Sequence, residues 1–214
     1  MELTNILLLS QIAGYSVALT LSFCLAVPMS LHQNDFKGHC LLFSTGKWQE
    51  TDGQFNVTWA STGFCSYPIA LAVLVFGICV IQLYRMSVFY YRGTDSSFLS
   101  AFIDVVVSIA MCLLNLASAL IVTLGFITWC RDMTERFPSC EIAAGNNIDQ
   151  KDEINTINFY IQMGTAQFGA WALWASWVGL AVLAMVKLCQ YHQMENVRVS
   201  MYIERQRLIN EGQN

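Results

Sequence analysis

The sequence predicts an all-α membrane protein, a four-transmembrane-helix bundle with two disulfide-bearing outer loops. Three observations carry this. Hydrophobic residue types make up 55% of the 214 residues and charged types 12%, against about 25% charged in soluble domains. The mean hydropathy is +0.47. Four long stretches lack charge, and cysteines stand in pairs between them.

A bilayer core about 30 Å thick needs roughly 20 apolar residues in a helix. Leu3–Asn34 holds no Lys, Arg, Asp or Glu, and residues 6–29 within it read as the first span. The second reads as 67–84 and starts at Pro68, whose missing N–H costs little in a first helical turn. The third, 101–129, is uncharged from Val105 to Cys130, and the fourth, 160–186, lies within the uncharged stretch Asn155–Val186. Residues 1–190 thus form the transmembrane domain, and 191–214 a cytosolic tail that reads as helical, since Gln190–Asn210 lacks Gly and Pro. Val197, Met201 and Leu208 are candidates to line one face of it.

Four spans put both termini on one side. The loop between the second and third spans carries Arg85 and Arg92, and the tail carries Lys187, Arg198, Arg205 and Arg207. The other two loops hold Lys37, Lys47, Arg131, Arg136 and Lys151. The positive-inside rule therefore favours cytosolic termini, in the plasma membrane or in secretory or endosomal membranes. Asn56-Val57-Thr58 is a glycosylation acceptor, used only on the lumenal side, and Asn56 falls in the first outer loop. Cys40 and Cys65 fall in that loop, and Cys130 and Cys140 in the second, as suits an oxidising compartment. Four cysteines allow three pairings; pairing within each loop is the simplest. The N-terminus has no basic stretch before its apolar run, which reads against a cleaved signal peptide.

Small residues mark close helix approach in lipid. Ser10, Gly14, Ala18, Ser22 and Ala26 form a ridge on the first span, and Ala172, Ala175, Ser176 and Gly179 share a face of the fourth. Both read as intramolecular seams, with homodimerisation as the alternative. Trp171, Trp174 and Trp177 lie roughly opposite the second of these faces, a candidate surface for lipid or a partner, against simple packing. Trp129 and Tyr160, near span ends, read as interfacial anchors.

The third span carries a polar stripe of Asp104, Ser108, Asn115 and Ser118. A carboxylate within a membrane faces the bundle or water, because lipid exposure costs roughly 2.5–3.5 kcal/mol. The stripe is a hydrogen-bonded seam on one reading, with Arg85 or Arg92 reaching Asp104, and an ion or proton path on the other. Cys24, Cys79 and Cys112 read as packing residues, and Cys189, just past the fourth span, as a candidate for palmitoylation.

Several function classes fall away. A net charge of −4 without a long basic run argues against nucleic acid. The cysteine spacings, with His32 and His39 the nearby imidazoles, do not suit zinc, and no cofactor is implied. Asp104 is the single acid within a span and no His lies in one, so the residues for intramembrane proteolysis or acyl transfer are missing, and an enzyme is not expected. What remains is a non-catalytic accessory or scaffold subunit of another integral membrane protein, or an oligomeric channel or transporter along the Asp104 stripe.

Asp35-Phe36-Lys37-Gly38-His39-Cys40-Leu41-Leu42-Phe43 with Gly46-Lys47-Trp48 resembles the first outer loop of the transmembrane protein 179 family. Ser97-Phe98-Leu99-Ser100-Ala101-Phe102, Trp129-Cys130 with Ser139-Cys140-Glu141, and Ala166-Gln167-Phe168-Gly169 extend the resemblance over nearly the whole chain. It is closer to the neuronally expressed branch, and it implies four spans and loop cysteines at Cys40, Cys65, Cys130 and Cys140, with no established activity. The Gly-Leu-Trp motif of claudins is absent, since His39 follows Gly38, and no tetraspanin Cys-Cys-Gly occurs. With claudin-like bundles it shares general shape alone.

Overall fold

The structure, a computed structural model, describes residues 2–50, 53–92, 98–146 and 154–211. Four helices, α1 (Glu2–Asp35), α2 (Gly63–Arg92), α3 (Phe98–Met133) and α4 (Phe159–Glu211), are joined at one end by a hairpin of β1 (Cys40–Trp48) and β2 (Phe55–Ala60). All four are long and apolar enough to cross a membrane. The chain is an integral multi-pass membrane protein.

The helices outrun the apolar stretches that forecast them. α2 begins at Gly63, ahead of Pro68, so that Pro68 lies inside the helix rather than at its first position. One intrahelical hydrogen bond is forgone there. Cys65 thereby belongs to the first turn of α2. α4 runs 53 residues without a break, about 80 Å at 1.5 Å per residue. The tail prolongs the helix of the fourth span, with Val197 and Met201 exposed along it. The side chains of Arg92 and Leu208 lie outside the described residues, as does Lys151.

α4 packs on both α1 and α3, and α1 packs on α2, while contact between α2 and α3 is slighter. α1 and α3 therefore face each other diagonally across the core. Gly169 permits the tightest helix approach: a Cβ there would stand 2.9 Å from the backbone of Cys24. On the other face of the interface, a Cβ on Gly14 would meet Leu180 at 2.8 Å. The ridge on α1 is thus an internal seam over part of its length, with Ala18 and Ser22 buried and Ser10 exposed.

The first outer loop is an antiparallel two-stranded sheet, an element the helical pattern did not forecast. Its register shifts between Cys40 and Thr45, where Phe43 adopts a φ of 62°. Ser44 splices the gap: its hydroxyl donates to the Cys40 carbonyl at 2.6 Å and accepts from the Ala60 N–H at 2.9 Å. Such a bulge bends the strand, and β1 lies against α3. Gly125 makes room for that contact, since a Cβ there would come within 2.7 Å of Leu42.

Candidate functional site

Two disulfides tie the outer elements to the helices. Cys40 bonds Cys65, joining β1 to α2, and Cys130 bonds Cys140, folding the second loop back on α3. Beneath the hairpin lies an aromatic cluster. Trp129, fully buried, meets Phe36 and Phe55 edge-on and stacks on Trp59 at 6.3 Å. Trp129 is therefore a core residue rather than an interfacial anchor, because the hairpin covers the end of α3 that a bare helix would expose to headgroups. Tyr160, at 36% exposure, keeps an outward surface.

At the opposite end, where the termini lie, Asp104 is buried and paired. Its Oδ1 accepts from Arg85 Nη1 at 3.1 Å and from Gln82 Nε2 at 3.0 Å. Arg85 also donates to Gln82 Oε1 at 3.0 Å and, through Nη2, to Ser100 Oγ at 2.6 Å. The guanidinium side chain keeps 33% exposure while the Asp104 side chain has 4%. This geometry lets the carboxylate stay inside the bundle with its charge compensated. Gln82 and Ser100 were missed in the sequence; the signal was there, since Gln82 and Arg85 stand three residues apart and share a helix face.

The other three residues of the stripe are also buried, Ser108 and Ser118 fully and Asn115 at 1% exposure. Ser108 Oγ donates to the Asp104 carbonyl at 2.7 Å, and Asn115 Nδ2 to the Met111 carbonyl at 2.7 Å. Across the core, the Tyr15 side chain of α1 approaches Ser108. Asn115 Oδ1 and Ser118 Oγ have no hydrogen-bond partner among the described residues. The stripe therefore faces the interior of the bundle.

The tryptophans of α4 do not form one face. Trp177 is fully buried, with its ring edge-on to Tyr15 at 6.0 Å. Trp171 is half-buried and donates from Nε1 to Thr123 Oγ1 at 2.9 Å; Trp174 meets it edge-on at 5.7 Å. The small residues opposite are the ones left outside: Ala175 and Gly179 are exposed, Ala172 and Ser176 partly so. A Cβ on Gly164 or Gly179 would touch nothing within 4 Å. The seam that α4 uses is thus a different one: Ala166, Gly169 and Ala170 lie buried on its inward side together with Leu173, Trp177 and Leu180. Of the free cysteines, Cys79 is buried, Cys24 and Cys112 are half-buried and Cys189 is exposed. Asn56 is exposed on β2.

Residues 7–209 match the family model described as Transmembrane protein 179/179B Claudin domain. The chain belongs to this family. No solved structure matches it. The transmembrane protein 179/179B match accounts for the four-helix architecture and spans both disulfides. Its claudin-type description attaches to a chain without the Gly-Leu-Trp motif. Among the described residues, no group of three or more His, Cys, Asp or Glu side chains is placed to hold a metal ion.

Proposed function

We propose that this chain is a non-catalytic accessory or scaffold subunit that binds a transmembrane helix of another integral membrane protein. The observation that carries this reading is the outward face of α4. Small residues facing lipid gain nothing from the bilayer, whereas against another helix they allow close backbone approach. Gly164, Ala175 and Gly179 line that face, and Phe168 beside them is 65% exposed. Trp171 and Trp174, on an adjoining side, offer aromatic surface at its margin. Trp177 is no part of it.

In this reading both termini are cytosolic, and the hairpin with its two disulfides faces the lumen or the cell exterior. The exposure of Asn56 and Thr58 on one side of β2 supports use of the acceptor sequence there. Cys189, exposed one turn past the fourth span, is open to acylation.

A second reading, a channel or transporter along Asp104, Ser108, Asn115 and Ser118, draws support from the unpartnered oxygens in the core. Because those residues are internal, such a path runs within one chain and needs no oligomer.

The test is purification of the tagged protein from native tissue in mild detergent, followed by mass spectrometry. A single membrane protein recovered in near-stoichiometric amount, and lost with Gly179→Leu, is the expected result. Recovery of this chain alone would overturn the accessory reading.

A further inference from the structure

Between the hairpin and the end of α3 lies an open cleft of about 720 Å³, within the range of about 300–1,000 Å³ seen for pockets that hold small ligands. One wall is a face of the hairpin. Lys47 stands opposite Asn56 and Thr45 opposite Thr58, and the alternation of a strand puts these four side chains on one side. Lys47, Asn56 and Thr58 are exposed there. The other wall is the end of α3 and the turn after it, where Arg131 and Glu135 stand four residues apart and project together. The base is closed by the bond from the Gly46 N–H to Asp132 Oδ2 at 3.1 Å.

The charges in the cleft balance, Lys47 and Arg131 against Asp132 and Glu135. Such a lining suits neither a phosphate nor a metal cation. It sets donors beside acceptors, which the hydroxyls of a neutral sugar, donor and acceptor at once, satisfy together. The fold leaves these groups available. Arg131 meets Asp132 through Nε, which frees its two Nη groups for the cleft. Among the described residues, neither Lys47 nor Glu135 has an ion pair. What decides the occupant is Asn56. Its side chain is part of the lining, and it is the acceptor of Asn56-Val57-Thr58. A sugar attached there begins inside the cleft.

We propose that the glycan carried by Asn56 is seated in this cleft and braces the hairpin against α3. This rests on use of the acceptor sequence in the topology given above. Attachment forms a bond from Asn56 Nδ2 to the anomeric carbon of N-acetylglucosamine; the amide releases one proton, and the pyrophosphate of a lipid-linked donor leaves. The first two sugars span from β2 to Arg131 and Glu135 with Lys47 beside them, bonded directly or through bridging water. The distal sugars extend into solvent. The brace runs alongside the bond between Gly46 and Asp132 and holds the same junction.

The test is a cycle of unfolding midpoints in mild detergent, on the full chain from cells that glycosylate. Arg131→Ala with Glu135→Ala is placed in the native chain and in Thr58→Ala, which keeps Asn56 but is no longer an acceptor. In the glycosylated chain the two substitutions are expected to lower the midpoint by about 2–4 °C for each hydrogen bond lost at this chain length. In Thr58→Ala the shift is expected to be distinctly smaller. What Arg131 does for Asp132 is common to both backgrounds and cancels in the difference. Equal shifts overturn the seating and leave the glycan itself standing. Should the double variant not fold, Glu135→Ala alone, at an exposed position, completes the cycle with the same reading.

The glycan is read separately, by digesting the denatured protein with an amidase that releases N-linked sugars. A gain in mobility is expected. No change means that Asn56 carries no sugar, which overturns the proposal together with the use of the acceptor on which it rests.

Discussion

Asp132, one residue before the end of α3, holds Gly46 of the hairpin: its Oδ2 accepts from the Gly46 N–H at 3.1 Å. Its own carbonyl accepts from Trp48 Nε1 at 3.1 Å. Arg136 completes the clasp, donating to the Gly53 carbonyl at 2.8 Å with its guanidinium 5.0 Å from the Trp48 ring centre. The hairpin is thereby fixed to the helix that also carries the polar stripe, so the outer module and the membrane core act as one body.

Asp132→Ala leaves the Gly46 N–H without its partner in a part-buried position. The expected loss is about 1–3 kcal/mol, read as a lower unfolding midpoint and faster protease cleavage between β1 and β2. Asp132→Asn keeps an acceptor and should lose less. Equal cleavage of all three proteins would show that the clasp contributes nothing.

The Cys40–Cys65 bond closes a separation of 25 residues, and its removal should cost about 3 kcal/mol. Cys40→Ser, Cys65→Ser and the double substitution remove the same bond, so all three should fall together. Thermal unfolding with and without reductant measures this. A double variant much weaker than either single one would mean that the pair acts through something other than the bond.

Gly169→Ala drives a methyl group against the backbone of Cys24, where no flexible side chain can yield. Overpacking of this kind costs about 1–3 kcal/mol. Gly179→Ala, on the open face of α4, meets no atom within 4 Å and should gain up to about 1 kcal/mol from helix propensity. Detergent unfolding midpoints moving in opposite directions are the expected outcome.

Asp104→Leu strands Arg85 beside Gln82 and Ser100. Breaking a buried pair costs about 3–5 kcal/mol, and the one-third exposure of Arg85 reduces this to about 1–3 kcal/mol. The double variant Arg85→Leu, Asp104→Leu should recover part of that loss. The comparison is made by unfolding midpoints, and a double variant less stable than Asp104→Leu alone would show that Arg85 has other essential partners.

The four spans and the loop-wise sorting of cysteines were legible because bilayer thickness and redox chemistry act directly on composition. Which side of α4 faces inward was not. Small residues signal close approach without naming the neighbour, and the resting of α4 on both α1 and α3 decided that Trp177 turns in and Gly179 out. The burial of Asp104 followed from the cost of a carboxylate in lipid and Gln82 was marked by its spacing from Arg85, yet Ser100 emerged only once α2 and α3 stood side by side. The hairpin was hidden for a different reason. A bulge at Phe43 interrupts, within Cys40–Trp48, the alternation that marks a strand.

The most direct test of the accessory role is photocrosslinking in native membranes from single positions on α4. A photoreactive phenylalanine analogue at Phe168 or Val182, both outward, should yield one discrete adduct with a second membrane protein, and the same group at Trp177 should yield none. Adducts with lipid alone from the outward positions would contradict a partner on this face.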